Sequence, residues 1–330
     1  MTTLSRAAQL SGSKRSSSHG PVKPRQSRGN SRSGGFSRWC QRLVSGAIGL
    51  AILGFILFQL VMSFGAQLFP LTEDEHLLLV SSEINGRTPV IVGVVIAPAS
   101  SRVTVVSLPV EEKVPVMGGY GEYQLGAVWP LLKTNQRQPE FIRAAYSVGL
   151  EYPWTVVMQT EAAASYQAPP DLQRLLWSVL WRPQPHASWR QRAAWYFYIR
   201  NYNLSQVDEL KPSTLSELSR LWSQLPQPVN LEACAVAVVN TTATAGLASQ
   251  VTTVLEHSQV LVVKTTDSTQ RAVETGLSIE SEGNCAQVTR LIQAVMPRKL
   301  LPHPNPVLTT EYRAKQVLLI GEDVAQALEQ

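Results

Sequence analysis

The sequence predicts a membrane-anchored α/β protein: one apolar helix, then a mixed α/β domain, then a small two-layer α/β sandwich. Three observations carry the prediction. Residues 43–65 contain no charged side chain, the stretch beyond residue 75 opens with Val- and Ile-rich runs separated by turn residues, and the chain after residue 229 alternates between strand and helix periodicity.

The apolar run LVSGAIGLAILGFILFQLVMSFG, from Leu43 to Gly65, reaches roughly 30 Å at about 1.5 Å of rise per residue, which spans a hydrocarbon core as one helix. Before it stand Arg6, Lys14, Arg15, Lys23, Arg25, Arg28, Arg32, Arg38 and Arg42, with no acidic residue. The positive-inside bias then predicts a single-pass plasma-membrane protein with its N-terminus in the cytoplasm and residues 66–330 outside. The competing reading is a cleaved secretory signal. Such a signal has an apolar region of only about 7 to 15 residues and a small-x-small cleavage site, whereas Gly65-Ala66-Gln67-Leu68-Phe69 continues largely apolar.

Residues 1–42 form the cytoplasmic tail. Its tract SGSKRSSSHGPVKPRQSRGNSRSGG holds too little apolar surface to fold and is expected to be disordered. Attraction to membrane lipid is the expected role, worth roughly 1 kcal/mol per basic residue near the surface; a docking segment for a cytoplasmic partner is the other reading. The chain has 29 basic and 24 acidic residues, a net charge of +5. Taking away the tail's nine leaves 20 basic against 24 acidic, so the rest is near −4. Nucleic-acid binding needs a basic face on a folded domain and is excluded on that ground.

The first exported domain is expected over residues 70–228. Residues 76–82, 89–98 and 102–109 read as strands of a meander, with a turn at Asn85-Gly86. Gly118-Gly119-Tyr120-Gly121 reads as a loop, residues 139–149 as a helix and 154–160 as a strand. From residue 171 the chain turns helical, with Asp171 offered as an N-cap and Thr214 with Glu217 as a capping box. The boundary falls at Pro226-Gln227-Pro228. The second domain, 229–330, is expected to contain a strand at 231–239, a turn at 240–244 and a helix at 245–257. A strand at 260–264, a short strand at 276–280 and a helix at 284–296 follow. A proline-rich link through Pro297, Pro302, Pro304 and Pro306 then leads to a last strand at 316–320.

Six of the eight tryptophans, at 154, 177, 181, 189, 195 and 222, crowd into the later part of the first domain. They suit a buried core, with an acyl-chain pocket as the alternative. Arg190, Arg192 and Arg200 interleave with these rings, and a guanidinium fork suits phosphate; solvated helix arginines are the plain alternative. Cys40 lies at the cytoplasmic mouth of the helix, as a free thiol or an acylation site. Cys234 and Cys285 are the cysteines beyond the membrane and make one candidate disulfide. The histidines lack metal-ligand spacing, and no GxGxxG, GK[ST] or GxSxG pattern occurs. Asn240 and Gly246 are therefore read as a structural strand-to-helix turn.

Val239-Asn240 followed by Gly246-Leu247-Ala248, with the final VLLIGED, resembles the C-terminal domain of the LytR family over residues 229–325. The resemblance implies that residues 76–225 are a degenerate LytR-CpsA-Psr domain, and the segment TVVSLPVEEKVPVMGGYGEYQLGAVW is similar to that family's Ser-x-Pro stretch. Members transfer glycopolymers from polyprenyl pyrophosphate carriers to peptidoglycan. Where the family has Arg-Asp, this chain has Val110-Glu111; the basic position after the glycine turn is Gln124; the upstream Arg-x-Asp reads Arg87-Thr88-Pro89. The missing side chains would hold pyrophosphate and Mg²⁺. The remaining candidates are Glu111 and Arg190 for catalysis and Arg87, Arg190, Arg192 and Arg200 for phosphate.

The resemblance therefore implies a bacterial cell-envelope protein, non-catalytic and without a cofactor. It would bind lipid-linked or wall glycopolymer or scaffold envelope assembly. The alternative is a phosphotransferase requiring Mg²⁺. The partners implied are membrane lipid, polyprenyl-linked glycan or peptidoglycan, and other envelope proteins.

Overall fold

The computed structural model describes residues 34–81, 88–183, 187–222, 224–225, 234–281 and 285–329. The chain divides into two compact units, residues 1–57 and 58–330. The first unit holds most of helix α1 (Gly34–Leu68), which extends past the apolar run at both ends. Within it, Leu43–Leu68 is long and apolar enough to cross a membrane. Arg38, Arg42, Ala66, Gln67 and Leu68 are good helix formers, so no residue type at either edge stops the helix.

The second unit begins with the last turns of α1 and then builds a meander from β1 (Glu75–Ser81), β2 (Val90–Ala97) and β3 (Arg102–Ser107). Both pairings are antiparallel, with Leu78 opposite Gly93 and Val94 opposite Val105. Next come β4 (Lys113–Val116) and β5 (Gly121–Gln124), helices α2 (Leu125–Thr134) and α3 (Pro139–Gly149), and strand β6 (Val156–Gln159). Helices α4 (Asp171–Leu180) and α5 (Trp189–Asn201), strand β7 (Asp208–Leu210) and helix α6 (Leu215–Trp222) follow. The sheet order is β6-β1-β2-β3-β7, with β6 parallel to β1 and β7 parallel to β3.

Helices cover both faces of this sheet, which is why β1 and β2 read as unbroken apolar runs instead of alternating ones. Leu78 and Val80 face a core shared with Tyr146, Trp154 and Trp222. Leu77 and Leu79 face the other core, built with Leu176, Trp195 and Phe197. Trp154, Trp195 and Trp222 are fully buried, while Trp181 and Trp189 remain 62% and 47% exposed. The tryptophans thus divide between core and surface. Gly93 lets the Trp154 ring lie on β2, since a Cβ there would sit 2.4 Å from it.

Local departures from the sequence expectations have identifiable causes. The expected glycine loop joins a hairpin, β4–β5, because Gly118, Gly119 and Gly121 all take positive φ and so turn the chain tightly. Asp171 is the first residue of α4 and not its cap; its carboxylate accepts from the backbone N–H groups of Gln167 (3.0 Å) and Ala168 (3.3 Å). Thr214 does cap α6 through the Glu217 N–H at 3.2 Å, but the Glu217 carboxylate turns to the backbone N–H of Ser213 at 2.7 Å.

The second sheet uses β8 (Val236–Asn240), α7 (Leu247–His257), β9 (Val262–Asp267), β10 (Gly276–Ile279) and α8 (Ala286–Val295). It is completed by β11 (Pro302–Pro304), α9 (Pro306–Tyr312), β12 (Gln316–Ile320) and α10 (Glu322–Glu329). The order is β11-β10-β12-β8-β9, antiparallel only between β10 and β12. Helices α7 and α8 bury one face. Leu308 and Tyr312 of α9 pack on the other, against Ala237, Val239 and Val317.

This second covering departs from the expected two layers. What reads as a proline-rich link holds a strand and a helix, because Pro306 takes the first helical position after Asn305, whose side chain accepts from the Leu308 N–H at 3.1 Å. The boundary sequence Pro226-Gln227-Pro228 lies outside the described residues, and both sheets belong to the unit 58–330.

Candidate functional site

The end of α1 packs on α5. Gly65 is buried there, where a Cβ would lie 2.3 Å from the Phe197 ring, and Phe69 stacks on the same ring at 5.8 Å. Arg200 Nη1 donates to the Met62 carbonyl at 2.7 Å. Beside this junction lies an open cavity of about 540 Å³. Its wall is supplied by Leu68–Thr72, by Glu73 and Glu75, by Arg143 of α3, by Arg190 and Gln191 of α5, and by Arg290 and Gln293 of α8.

Each charged residue is placed by local structure. Ser188 caps α5, its hydroxyl accepting from the Gln191 N–H at 3.2 Å. That places Arg190 in the first helical turn, where the exposed N–H groups add partial positive charge. Arg190 is exposed and pairs with no carboxylate among the described residues.

Arg143 is only 8% exposed; Nη2 donates to the Gln293 carbonyl at 2.5 Å, and Nε is buried without a hydrogen-bond partner. Burial pushes its pKa down to about 10, which still leaves it cationic at neutral pH. Arg290 Nη2 meets Glu75 at 2.8 Å and its Nη1 meets Glu73. Burial works to lower the Arg290 pKa, but Glu75 and then Glu73 outweigh it and leave it raised. Gln191 Nε2 donates to the second Glu75 oxygen at 2.9 Å.

Next to the cavity wall, two buried groups on either side of Glu75 shift in opposite senses. Burial, then neighbouring Glu75, raises Asp74 to about 6. Burial lowers His76 to about 4, although its Nδ1–H donates to the Pro153 carbonyl at 3.2 Å. A raised carboxyl favours the fold when protonated, so the Asp74 contribution is lost as pH rises through about 6. A depressed histidine favours the fold when neutral, so the His76 contribution is lost as pH falls from about 6.5 to about 4. The two offset each other in the wild-type protein. Asp74→Asn is expected to raise the urea midpoint at pH 7 and to steepen its decline between pH 6.5 and pH 4; parallel pH profiles for variant and wild type would refute the pairing.

Of the residues singled out in the sequence, only Arg190 lines this cavity. Arg192 is buried and its Nη1 donates to the Val179 carbonyl at 3.3 Å and to the Arg182 carbonyl, closing the C-terminal end of α4. Arg200 serves α1 as described. Arg87 lies outside the described residues. Glu111 is exposed, where the Gln124 amide donates to it at 3.4 Å, away from the cavity wall.

Asn240 and Gly246 organise backbone. The Asn240 amide donates to the Thr244 carbonyl (2.9 Å) and Asp267 (2.8 Å), and its oxygen accepts from Thr242; Gly246 sits at φ +86°, ahead of α7. Cys234 and Cys285 are joined by a disulfide, with Cα atoms 5.7 Å apart. Sequence reasoning missed Arg143, Arg290, Glu73 and Glu75. An arginine amid the apolar face of residues 139–149 was the one available signal.

No protein-family model matches this chain, and no curated protein does. Among solved structures, a transcriptional regulator (EF0465) from Enterococcus faecalis superposes with a TM-score of 0.30 at 10% identity, covering 45% of this chain and 77% of that one. TagV of B. subtilis superposes with a TM-score of 0.23 at 10% identity, covering 42% of this chain and 84% of that one. At such scores the functional reading rests on the residues of this chain.

Proposed function

We propose that this chain is an anchored bacterial envelope protein that binds an anionic lipid-linked or wall glycopolymer without transforming it. The observation that carries the reading is the arginine-lined cavity at the end of the membrane-length helix. Two further features support it. The basic residues before α1 favour a cytoplasmic N-terminus, and the Cys234–Cys285 bridge belongs to an oxidising compartment. The transferase alternative needs Glu111 and Arg190 at one centre, and Glu111 stands instead beside the β4–β5 hairpin.

The full chain, immobilised in detergent through a C-terminal tag, is expected to retain purified peptidoglycan or lipid-linked glycan. Retention of neither would overturn the reading. Protease added to intact spheroplasts should remove the same tag, and a tag cleaved only after lysis would reverse the orientation.

A further inference from the structure

The cavity beside α1 holds more fixed positive charge than its own carboxylates neutralise. Arg290 is already engaged by Glu73 and Glu75. Arg143 and Arg190 line the same space with donors left over: the Arg143 Nε is buried with no acceptor, and Arg190 pairs with no carboxylate among the described residues. Three guanidinium groups against two carboxylates leave a single net positive charge. A phosphodiester monoanion balances that charge.

The position of the cavity says where such an anion comes from. Leu68, the last residue of the membrane-length helix, and the following Phe69, Pro70 and Leu71 form part of its wall. Trp189, next to Arg190 and 47% exposed, meets Phe69 edge-on with ring centroids 5.2 Å apart. A half-exposed tryptophan next to an apolar helix end is suited to the headgroup layer of a bilayer. The anion most concentrated in that layer is a phosphodiester, and its planar-accessible oxygens match guanidinium forks.

We infer that the cavity takes the phosphodiester headgroup of a membrane glycerophospholipid, held by Arg143 and Arg190, with the acyl chains remaining in the bilayer beside Leu68 and Phe69. This rests on the reading above only in placing the end of α1 at the membrane surface; a glycopolymer and the lipid headgroup would compete for the cavity. The lipid then serves as a fixed contact between the folded unit and the leaflet at the C-terminal end of α1.

The test is native mass spectrometry of the full chain in non-ionic detergent, titrated with phosphatidylglycerol. The expected result is a retained lipid whose affinity falls about tenfold in Arg190→Gln, the weight of one charge-assisted hydrogen bond. Arg143→Gln should do the same; because Arg143 also holds α8, the exposed Arg190 provides the variant that keeps its fold. Every protein tested carries the basic tail, so only the difference between them reports the cavity. Equal retention by wild type and Arg190→Gln would overturn the inference. So would displacement of the lipid by inorganic phosphate as readily as by excess lipid, which would assign the site to a soluble anion. Failed lipid retention with glycopolymer capture intact refutes this inference alone, and the converse refutes only the broader reading.

Discussion

Trp154→Ala is expected to remove about 3–5 kcal/mol of stability, the usual cost of emptying a large aromatic site in a core. Trp154 is fully buried and packs against Tyr152 at 5.0 Å and Trp222 at 5.9 Å, while Tyr152 stacks on Trp222 at 4.5 Å. The Trp222 Nε1–H donates to the Leu150 carbonyl at 2.9 Å and so fixes this group of rings against the end of α3. The Trp154 Nε1–H is itself buried without an acceptor. Trp154→Phe, which keeps an aromatic ring and discards that donor, should therefore cost far less than the alanine.

The close approach of Gly93 gives a second, independent check. Gly93→Ala should destabilise the wild-type protein, because the new methyl would lie 2.4 Å from the Trp154 ring, and be nearly neutral once Trp154 is alanine. Urea unfolding of the full chain in detergent measures all four proteins. Additive effects would show that the ring and the glycine are not coupled.

Removing the disulfide is the other large effect. Cys234 and Cys285 are 51 residues apart in sequence, and closing a loop of that length restricts the unfolded chain by about 4 kcal/mol. The bridge ties the segment entering β8 to the N-terminus of α8, the helix that also supplies Arg290 and Gln293 to the cavity. Cys234→Ser with Cys285→Ser, or reduction of the native protein, should accelerate hydrogen exchange in β8, β12 and α8. Tryptophan emission is the wrong readout, since all eight tryptophans lie at or before residue 222. Unchanged exchange in those elements would show that the bridge adds nothing to the sheet.

The long strands were legible because composition alone defined them. HLLLVS and VIVGVVIA are apolar at nearly every position, as befits strands covered on both faces. The short strands carried no such pattern. GEYQ in β5 is exposed throughout and PHP in β11 likewise, so neither displays the alternation by which a half-buried strand announces itself. Helix α9 escaped notice because prolines surround its start, although one of them occupies the position where proline favours a helix.

The cavity was less legible. Arg190, Arg192 and Arg200 look alike in the sequence, yet a step of two residues turns about 200° around a helix. Arg190 consequently faces the cavity while Arg192 points to the α4 carbonyls. Arg143 and Arg290 are 147 positions apart by their numbers and meet only through the packing of α3 on α8, which no local pattern encodes.

Gly321 has a consequence for how kinship with this chain should be judged. A methyl group on it would come within 2.4 Å of the Glu274 carbonyl carbon and 2.7 Å of the Thr275 nitrogen, so crowding between two stretches of main chain dictates that residue by itself. Another protein bearing Gly there, or Gly at the left-handed position 246, has inherited or reinvented a way of folding a corner. Shared letters at such corners testify to common carpentry and are silent about what the finished object is used for.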